Sequence, residues 1–153
     1  MRLFLAHHGK ALAAAVDAQQ PLSDEGRVQV ERVAAAAAAR GARPGIVWHS
    51  GKLRARQTAQ AYWRACNSLA PLEATRDLQP ADAPEWLRDR LRAESRDVLI
   101  VGHFPYLPRL LTLLVTGRDS SSMEFPEHGI VALSSDDGGE TWTEIWRIEG
   151  EKT

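Results

Sequence analysis

Three separated segments of this sequence carry the residue types best suited to chemistry. His7 and His8 precede Gly9 directly after a short apolar run, while Arg54 and His103 follow two later apolar runs. A neutral imidazole is a competent nucleophile near pH 7, because its ordinary pKa is about 6.5. A guanidinium is a planar fork that matches two oxygens of a phosphate group. Together these residues predict chemistry on a phosphate or similar anion, in which an imidazole can act as the nucleophile.

The elements that must position these side chains follow from the alternation of apolar runs with longer helix-like segments. Strand-length runs lie at residues 3–6, 46–48, 72–75 and 98–101, and the last is apolar throughout, as in a central strand buried on both faces. Residues 130–133 and 142–148 flank a turn-rich connection typical of an antiparallel hairpin. The pattern predicts a three-layer α/β/α fold with a mostly parallel sheet and a C-terminal antiparallel hairpin. We find no domain boundary and expect residues 1–153 to form a single domain.

Helix signals separate the predicted strands. Ser23 is predicted to cap a helix that runs through the alanine tract at 34–39, and a second helix is expected over about 52–66. Asp82 is followed three positions later by a glutamate, a pattern that predicts the start of a third helix. An apolar stripe that ends before Gly117 predicts a fourth.

Composition excludes several classes of protein. The 153 residues carry a formal charge of -1, and their positive charges are scattered among acids, so we expect no binding to nucleic acid. No apolar stretch approaches the roughly 20 residues that span a bilayer, and no secretory signal begins the sequence. We therefore expect a cytoplasmic protein that does not associate with membranes. Cys66 is the one cysteine and is expected to be a buried thiol.

The three chemical segments all follow predicted strands, and this placement predicts one site. Ligands of open parallel sheets bind beyond the carboxyl ends of the strands, so His8, residues 50–54 and His103 are expected to meet there. Helix N-termini at this edge offer free backbone N–H groups and a positive dipole end, which favour a phosphate group.

Four motifs in order make the sequence similar to a known family. They are a strand ending in His-Gly, the segment PLSDEG at 21–26, the segment SGKLRARQTA at 50–59, and VGHFP at 101–105. These motifs span residues 1–110 and resemble those of the histidine phosphatase superfamily, also called the phosphoglycerate mutase-like fold. The short chain is similar to the small SixA-type phosphohistidine phosphatases, which remove phosphate from histidine on phosphotransfer domains.

The resemblance implies a role for each matching residue. His8 matches the histidine that the family phosphorylates, Arg54 a phosphate-clamping arginine, and His103 a second histidine that contacts the phosphoryl group. Gly9 is expected to contribute to the phosphate site beside them. The implied reaction is phosphatase chemistry through a covalent phosphohistidine, without a metal or other cofactor, on a phosphohistidine protein or a small phosphate ester.

One residue departs from the family motif, which is Arg-His-Gly where this sequence has His-His-Gly. His7 therefore replaces a permanently charged fork by a titratable ring. We consider two ways in which the charge could be restored in the phosphate site: Lys10 bends into it, or His7 is protonated at mildly acidic pH.

The general acid is a second open point. Family members that act on alcohol esters need a carboxyl group to protonate the leaving group, and Asp77 and Asp82 are the candidates here. Asp82 already has a predicted capping role. A phosphohistidine substrate lowers the demand for an acid, because imidazole leaves more easily than an alkoxide.

Other interpretations of the same residues remain open. Five histidines invite a zinc site, but His7 and His8 are expected on opposite faces of an extended segment, and no cysteine or glutamate supplies metal-ligand spacing. His49 and His128 have no motif and are expected to be ordinary polar residues near loops, with the alternative that His49, which precedes Ser50, lines the mouth of the pocket. The alternative functions are a weakened pseudophosphatase that binds phosphate or a phosphoprotein and, less favoured, a mutase-like phosphotransferase.

Overall fold

The computed structural model describes residues 1–150, within which the chain forms six strands and four helices. In chain order they are β1 (Arg2–His7), α1 (Asp24–Ala39), β2 (Ile46–His49), α2 (Leu53–Cys66), β3 (Leu72–Ala74), α3 (Pro84–Arg92), β4 (Val98–Gly102), α4 (Tyr106–Thr116), β5 (Ile130–Ser134) and β6 (Thr143–Ile148). The strand and helix order confirms the α/β pattern that the sequence predicts. Among these helices, none is long and apolar enough to cross a bilayer.

All six strands join one sheet in the order β3-β2-β4-β1-β5-β6. The first four are parallel, whereas β5 runs antiparallel to β1 and pairs with β6 in an antiparallel hairpin. Side chains of α3 and α4 pack on one face of the sheet, and those of α1 and α2 pack on the other. The predicted three-layer architecture with a C-terminal hairpin is therefore confirmed.

The strand register brings three chain segments to one edge of the sheet. His7 pairs with Gly102 across β1 and β4, and His49 pairs with Val101 across β2 and β4. The residues that follow these strand ends are His8, His103 and Ser50. Because β4 lies between β1 and β2, His103 lies between the other two residues.

The helix starts show where sequence signals succeed and where one fails. The Ser23 side chain accepts a hydrogen bond from the N–H of Gly26, so the predicted cap of α1 is confirmed. The predicted cap at Asp82 is wrong, because α3 begins at Pro84 with Ala83 at the cap position. Proline fits the first helical position because it lacks the N–H that a cap would satisfy. The Asp82 carboxylate instead accepts the N–H of Gln79 at 2.9 Å.

Replacing Ser23 with alanine is expected to lower the free energy of unfolding by about 1 kcal/mol, because one buried helix-end N–H loses its acceptor. Urea titration followed by circular dichroism measures the loss. The matched control is Ser121→Ala, at an exposed position between α4 and β5. Equal stability of the two variants would contradict the capping role.

Candidate active site

The ring of His8 is oriented by the residue that follows it. Its Nδ1 lies 2.8 Å from the carbonyl oxygen of Gly9. A carbonyl only accepts, so Nδ1 carries the hydrogen and Nε2 keeps a free lone pair. Burial lowers the pKa of His8 to about 4, with further lowering by the nearby positive charges of Arg54 and Lys52. His8 is therefore neutral near pH 7, with a lone pair that can attack an electrophile.

Gly9 joins the end of β1 to α2 rather than offering its N–H to a ligand. That N–H donates to the hydroxyl of Thr58 at 3.0 Å, and the same hydroxyl donates to the carbonyl of Arg54 at 2.8 Å. The absence of a side chain at Gly9 also lets it approach Val30 of α1 closely. The predicted phosphate contact of Gly9 is therefore not supported by its backbone N–H, which is already bound.

His103 is buried beside His8 and bonded to the end of β2. Its Nε2 lies 2.6 Å from the Ser50 hydroxyl, and the centres of the His103 and His8 rings are 5.0 Å apart. Burial, followed by the charges of His8 and Arg54, lowers the pKa of His103 to about 3, so the ring is neutral at physiological pH. Among histidine nitrogens in residues 1–150, Nδ1 of His103 alone is buried without a hydrogen-bond partner.

Two cations at the start of α2 face these histidines. Arg54 lies in the first turn of α2 and lowers the pKa values of His8 and His103, as does Lys52 at the cap position. The N-terminus of α2 has no side-chain cap, which leaves helix N–H groups available to an anion. We refer to the neighbouring residues His8, Ser50, Lys52, Arg54 and His103 together as the anion pocket.

The arrangement agrees with comparisons to known proteins. The family model of the histidine phosphatase superfamily (branch 1) matches residues 3–90. The chain belongs to the histidine phosphatase superfamily. A search of curated proteins finds no match.

Solved structures of superfamily proteins resemble the chain over almost its whole length. The protein histidine phosphatase SixA, complexed with tungstate, is 25% identical with a TM-score of 0.84, covering 97% of each chain. A protein from Agrobacterium tumefaciens that carries the name phosphohistidine phosphatase SixA is 28% identical with a TM-score of 0.78, covering 96% of each chain. The α-ribazole phosphatase of Shigella flexneri, at 17% identity with 95% of each chain covered and a TM-score of 0.68, shares the fold.

His7, the residue at which the sequence departs from the Arg-His-Gly motif, lies in a stack of rings. Its ring is parallel to Phe104 within 3° at 4.0 Å and to His128 within 13° at 4.9 Å. The backbone N–H of His128 donates to Nδ1 of His7 at 2.8 Å. Burial, followed by the charge of His8, lowers the pKa of His7 to about 2. The lowered pKa and the hydrogen bond that Nδ1 accepts both disfavour the hypothesis of a protonated His7 at mildly acidic pH.

The expectation that His7 and His8 lie on opposite faces is also wrong. Their ring centres are 4.3 Å apart, because β1 ends at His7 and strand alternation no longer governs His8. Ligand atoms of His7, His8 and His128 all lie within 4.8 Å of one another, which makes a histidine cluster that the sequence did not predict. However, the Nδ1 lone pair of His7 accepts the His128 N–H, and its Nε2 carries the ring hydrogen. A metal ion would have to disrupt that arrangement.

His128 belongs to the site, contrary to its expected role as an ordinary loop residue. Its Nδ1 donates to the carbonyl oxygen of His8 at 2.7 Å, and its Nε2 lies 3.3 Å from a carboxylate oxygen of Glu127. The residue has a positive φ of 56°, an uncommon conformation that turns both its ring and its N–H toward β1. No local motif indicates this role of His128, because its partners His7 and His8 lie 121 and 120 residues earlier in the sequence.

The side chain of Lys10 lies outside the anion pocket. Its ammonium is 3.1 Å from the carboxylate of Glu25 in the first turn of α1. The lysine whose charge acts on His8 and His103 is Lys52. Lys52 was not singled out by the sequence analysis, although it lies within the SGKLR segment two residues before Arg54.

The two candidate acids are bound to other groups. A carboxylate oxygen of Asp77 lies 3.5 Å from Arg90 and 3.6 Å from Arg76, and Asp82 accepts the N–H of Gln79. The Gln79 side chain reaches the site instead, by donating to the carbonyl of Ser50 at 2.9 Å. Both acids are therefore bound to groups outside the anion pocket. Gln79 is an additional residue that holds Ser50 in position.

Replacing Lys52 with alanine is expected to weaken tungstate binding by about fivefold, the effect of a partly exposed charge that contributes about 1 kcal/mol. Lys10→Ala is the matched control and is expected to leave the affinity unchanged, because its ammonium pairs with Glu25. Isothermal titration calorimetry measures both. A larger loss of tungstate affinity in Lys10→Ala than in Lys52→Ala would show that Lys10, rather than Lys52, supplies the positive charge near the anion.

The rate of phosphoryl transfer should persist to unusually low pH. Attack requires the neutral form of His8, so activity is present above its pKa and is lost as the pH falls through about 4 rather than about 6.5. The pH profile of kcat/KM with para-nitrophenyl phosphate checks this, because kcat/KM reports the pKa values of the free enzyme, and circular dichroism confirms that the protein is folded at each pH. An acid limb near 6.5 would show that burial does not control the nucleophile.

Proposed function

We propose that the protein is a phosphohistidine phosphatase of the SixA type that works through a covalent phosphohistidine on His8. The observation that carries the proposal is the bond from Nδ1–H of His8 to the Gly9 carbonyl, which leaves a neutral Nε2 lone pair within the anion pocket. The 25% and 28% identities to SixA proteins over nearly the whole chain support this substrate class.

The proposed reaction has two displacements at phosphorus. Nε2 of His8 attacks the phosphoryl group of a phosphohistidine that is protonated on its other ring nitrogen. A P–N bond to His8 forms while the P–N bond of the substrate breaks, and the substrate ring departs as neutral imidazole. Water then attacks the same phosphorus, releasing inorganic phosphate and regenerating neutral His8. The guanidinium of Arg54, the ammonium of Lys52 and the free N–H groups of α2 stabilise the negative charge on the phosphoryl oxygens in both steps.

His103 acts in this mechanism as a neutral donor. Nε2 of His103 shares a hydrogen bond with the Ser50 hydroxyl, and Nδ1 is buried without a partner. A neutral imidazole carries one N–H, which the Ser50 hydroxyl or a phosphoryl oxygen beside His8 can accept. His103 thus contributes a hydrogen bond rather than a positive charge.

The positions of the two candidate acids favour a P–N substrate over an alcohol ester. Asp77 is paired with arginines and Asp82 is bound to backbone, so neither donates a proton at the anion pocket. An alkoxide leaving group needs such a proton, whereas imidazole leaves without a carboxylic acid beside it. A phosphorylated histidine on a partner protein fits this constraint better than a phosphorylated alcohol.

The test compares two substrates with wild type and His8→Ala. Wild type is expected to dephosphorylate a phosphorylated histidine phosphotransfer domain, with at least about a hundredfold preference in kcat/KM over a phosphoserine peptide. His8→Ala is expected to lose this activity. Acid-labile phosphate on wild type, absent from His8→Ala, identifies the intermediate.

Two results would overturn the proposal. Equal rates in wild type and His8→Ala would exclude the covalent mechanism, and tungstate binding without turnover would identify a phosphate-binding pseudophosphatase. Net transfer of the phosphoryl group to an alcohol acceptor instead of water would indicate a phosphotransferase.

A further inference from the structure

The hydrogen bonds of two adjacent histidines fix opposite tautomers. Nδ1 of His7 accepts from the His128 N–H, so the hydrogen of neutral His7 is on Nε2. Nδ1 of His8 donates to the Gly9 carbonyl, so the hydrogen of neutral His8 is on Nδ1. Within residues 1–150, the hydrogen bonds of both rings are made through Nδ1, which leaves Nε2 free in each. One free nitrogen can therefore donate a hydrogen bond, and the other can attack.

The ring stack prevents His7 from exchanging these roles. Phe104 covers one face at 4.0 Å and His128 the other at 4.9 Å, with all three planes nearly parallel. A flip of the His7 ring would replace Nδ1 by a carbon atom opposite the His128 N–H. The side chain is 6% exposed, so water cannot easily replace that bond. The geometry holds the Nε2–H tautomer in place.

His128 connects the two histidines through a single residue. Its backbone N–H bonds the ring of His7, while its own Nδ1–H bonds the carbonyl oxygen of His8. The second bond fixes the orientation of the His128 residue and hence the direction of its N–H. His128 makes both hydrogen bonds with its backbone in the left-handed conformation, at φ 56°.

We propose that His7 is a neutral hydrogen-bond donor to the anion bound beside His8, and that His128 is the positioning residue that sets its tautomer. This inference rests on the proposed function, in which that anion is the transferred phosphoryl group. The Phe104–His7–His128 stack then takes over the orienting role of the superfamily arginine without supplying its charge. Specificity for an oxyanion comes from a directed N–H, and attraction comes from Arg54 and Lys52.

The first test measures the tautomers directly in the unliganded full-length protein. Long-range proton–nitrogen NMR with labelled histidine is expected to show hydrogen on Nε2 of His7 and on Nδ1 of His8 near pH 7. His7→Phe and His8→Ala assign the signals. A charged His7, or a His7 with its hydrogen on Nδ1, would overturn the proposal whatever the activity of the protein.

The second test measures tungstate affinity by calorimetry. His7→Phe keeps the ring stack but removes the donor and is expected to bind about tenfold more weakly. His7→Gln, whose amide places a donor near the Nε2 position, is expected to stay within about threefold of wild type. Equal affinity of wild type and His7→Phe would overturn the proposed donor.

The role of His128 is tested by coupling and rescue. His128→Gly keeps the left-handed backbone but loses the bond to the His8 carbonyl, and we expect a mixture of His7 tautomers and about threefold weaker tungstate binding. His128→Asn, which tolerates this backbone and keeps a donor, should restore both. In a His7→Phe background, His128→Gly should cause no further loss. An equal loss in both backgrounds would show that His128 acts only on structure.

Failure of this inference differs from failure of the proposed function. Wild type that binds tungstate with the expected tautomers but hydrolyses nothing would overturn the function and leave the donor role standing. An active enzyme whose tungstate affinity is unchanged by His7→Phe would do the reverse.

Discussion

The chemistry of this site depends on one hydrogen bond, from Nδ1–H of His8 to the carbonyl oxygen of Gly9. It assigns the ring hydrogen to one nitrogen and leaves the other with a lone pair, without any charged partner. The carbonyl is itself held because the N–H of Gly9 is bound to Thr58. The proposed nucleophile is thus defined by backbone geometry at the end of β1, where the strand register also delivers His103 and Ser50.

Electrostatics in the site follow from the contrast between buried neutral rings and two cations. Burial lowers the pKa values of His7, His8 and His103, so these rings contribute directed donors and a lone pair but no net charge. The positive charge belongs to Lys52 and Arg54 at the start of α2. The proposed site therefore combines neutral rings, which give directed hydrogen bonds, with two cations that attract an anion.

Much of the fold could be predicted from the sequence because its signals are local. The continuously apolar run of β4 indicated a central strand, and Ser23 indicated the start of α1. The meeting of His8, residues 50–54 and His103 was predictable from a single rule, that the carboxyl ends of parallel strands share an edge. Asp82 shows the limit of such signals, since Pro84 two residues later determines where α3 begins.

The contacts that could not be predicted are those between distant segments. His128 reaches the site because β5 pairs with β1, and only the three-dimensional register reveals that its N–H faces His7. Lys10 and Lys52 each lie two residues from a motif histidine or arginine. The Lys10 ammonium nevertheless pairs with the carboxylate of Glu25 and not with the anion pocket. Neither outcome follows from residue type or spacing.

The Thr58 hydroxyl, which accepts from Gly9 and donates to the carbonyl of Arg54, ties the strand that carries His8 to the helix that carries Arg54. The segment that follows β1 and the first turn of α2 are therefore joined through one side chain. Under the proposed function, this link favours an arrangement of the nucleophile and the start of α2 that exists before a substrate binds.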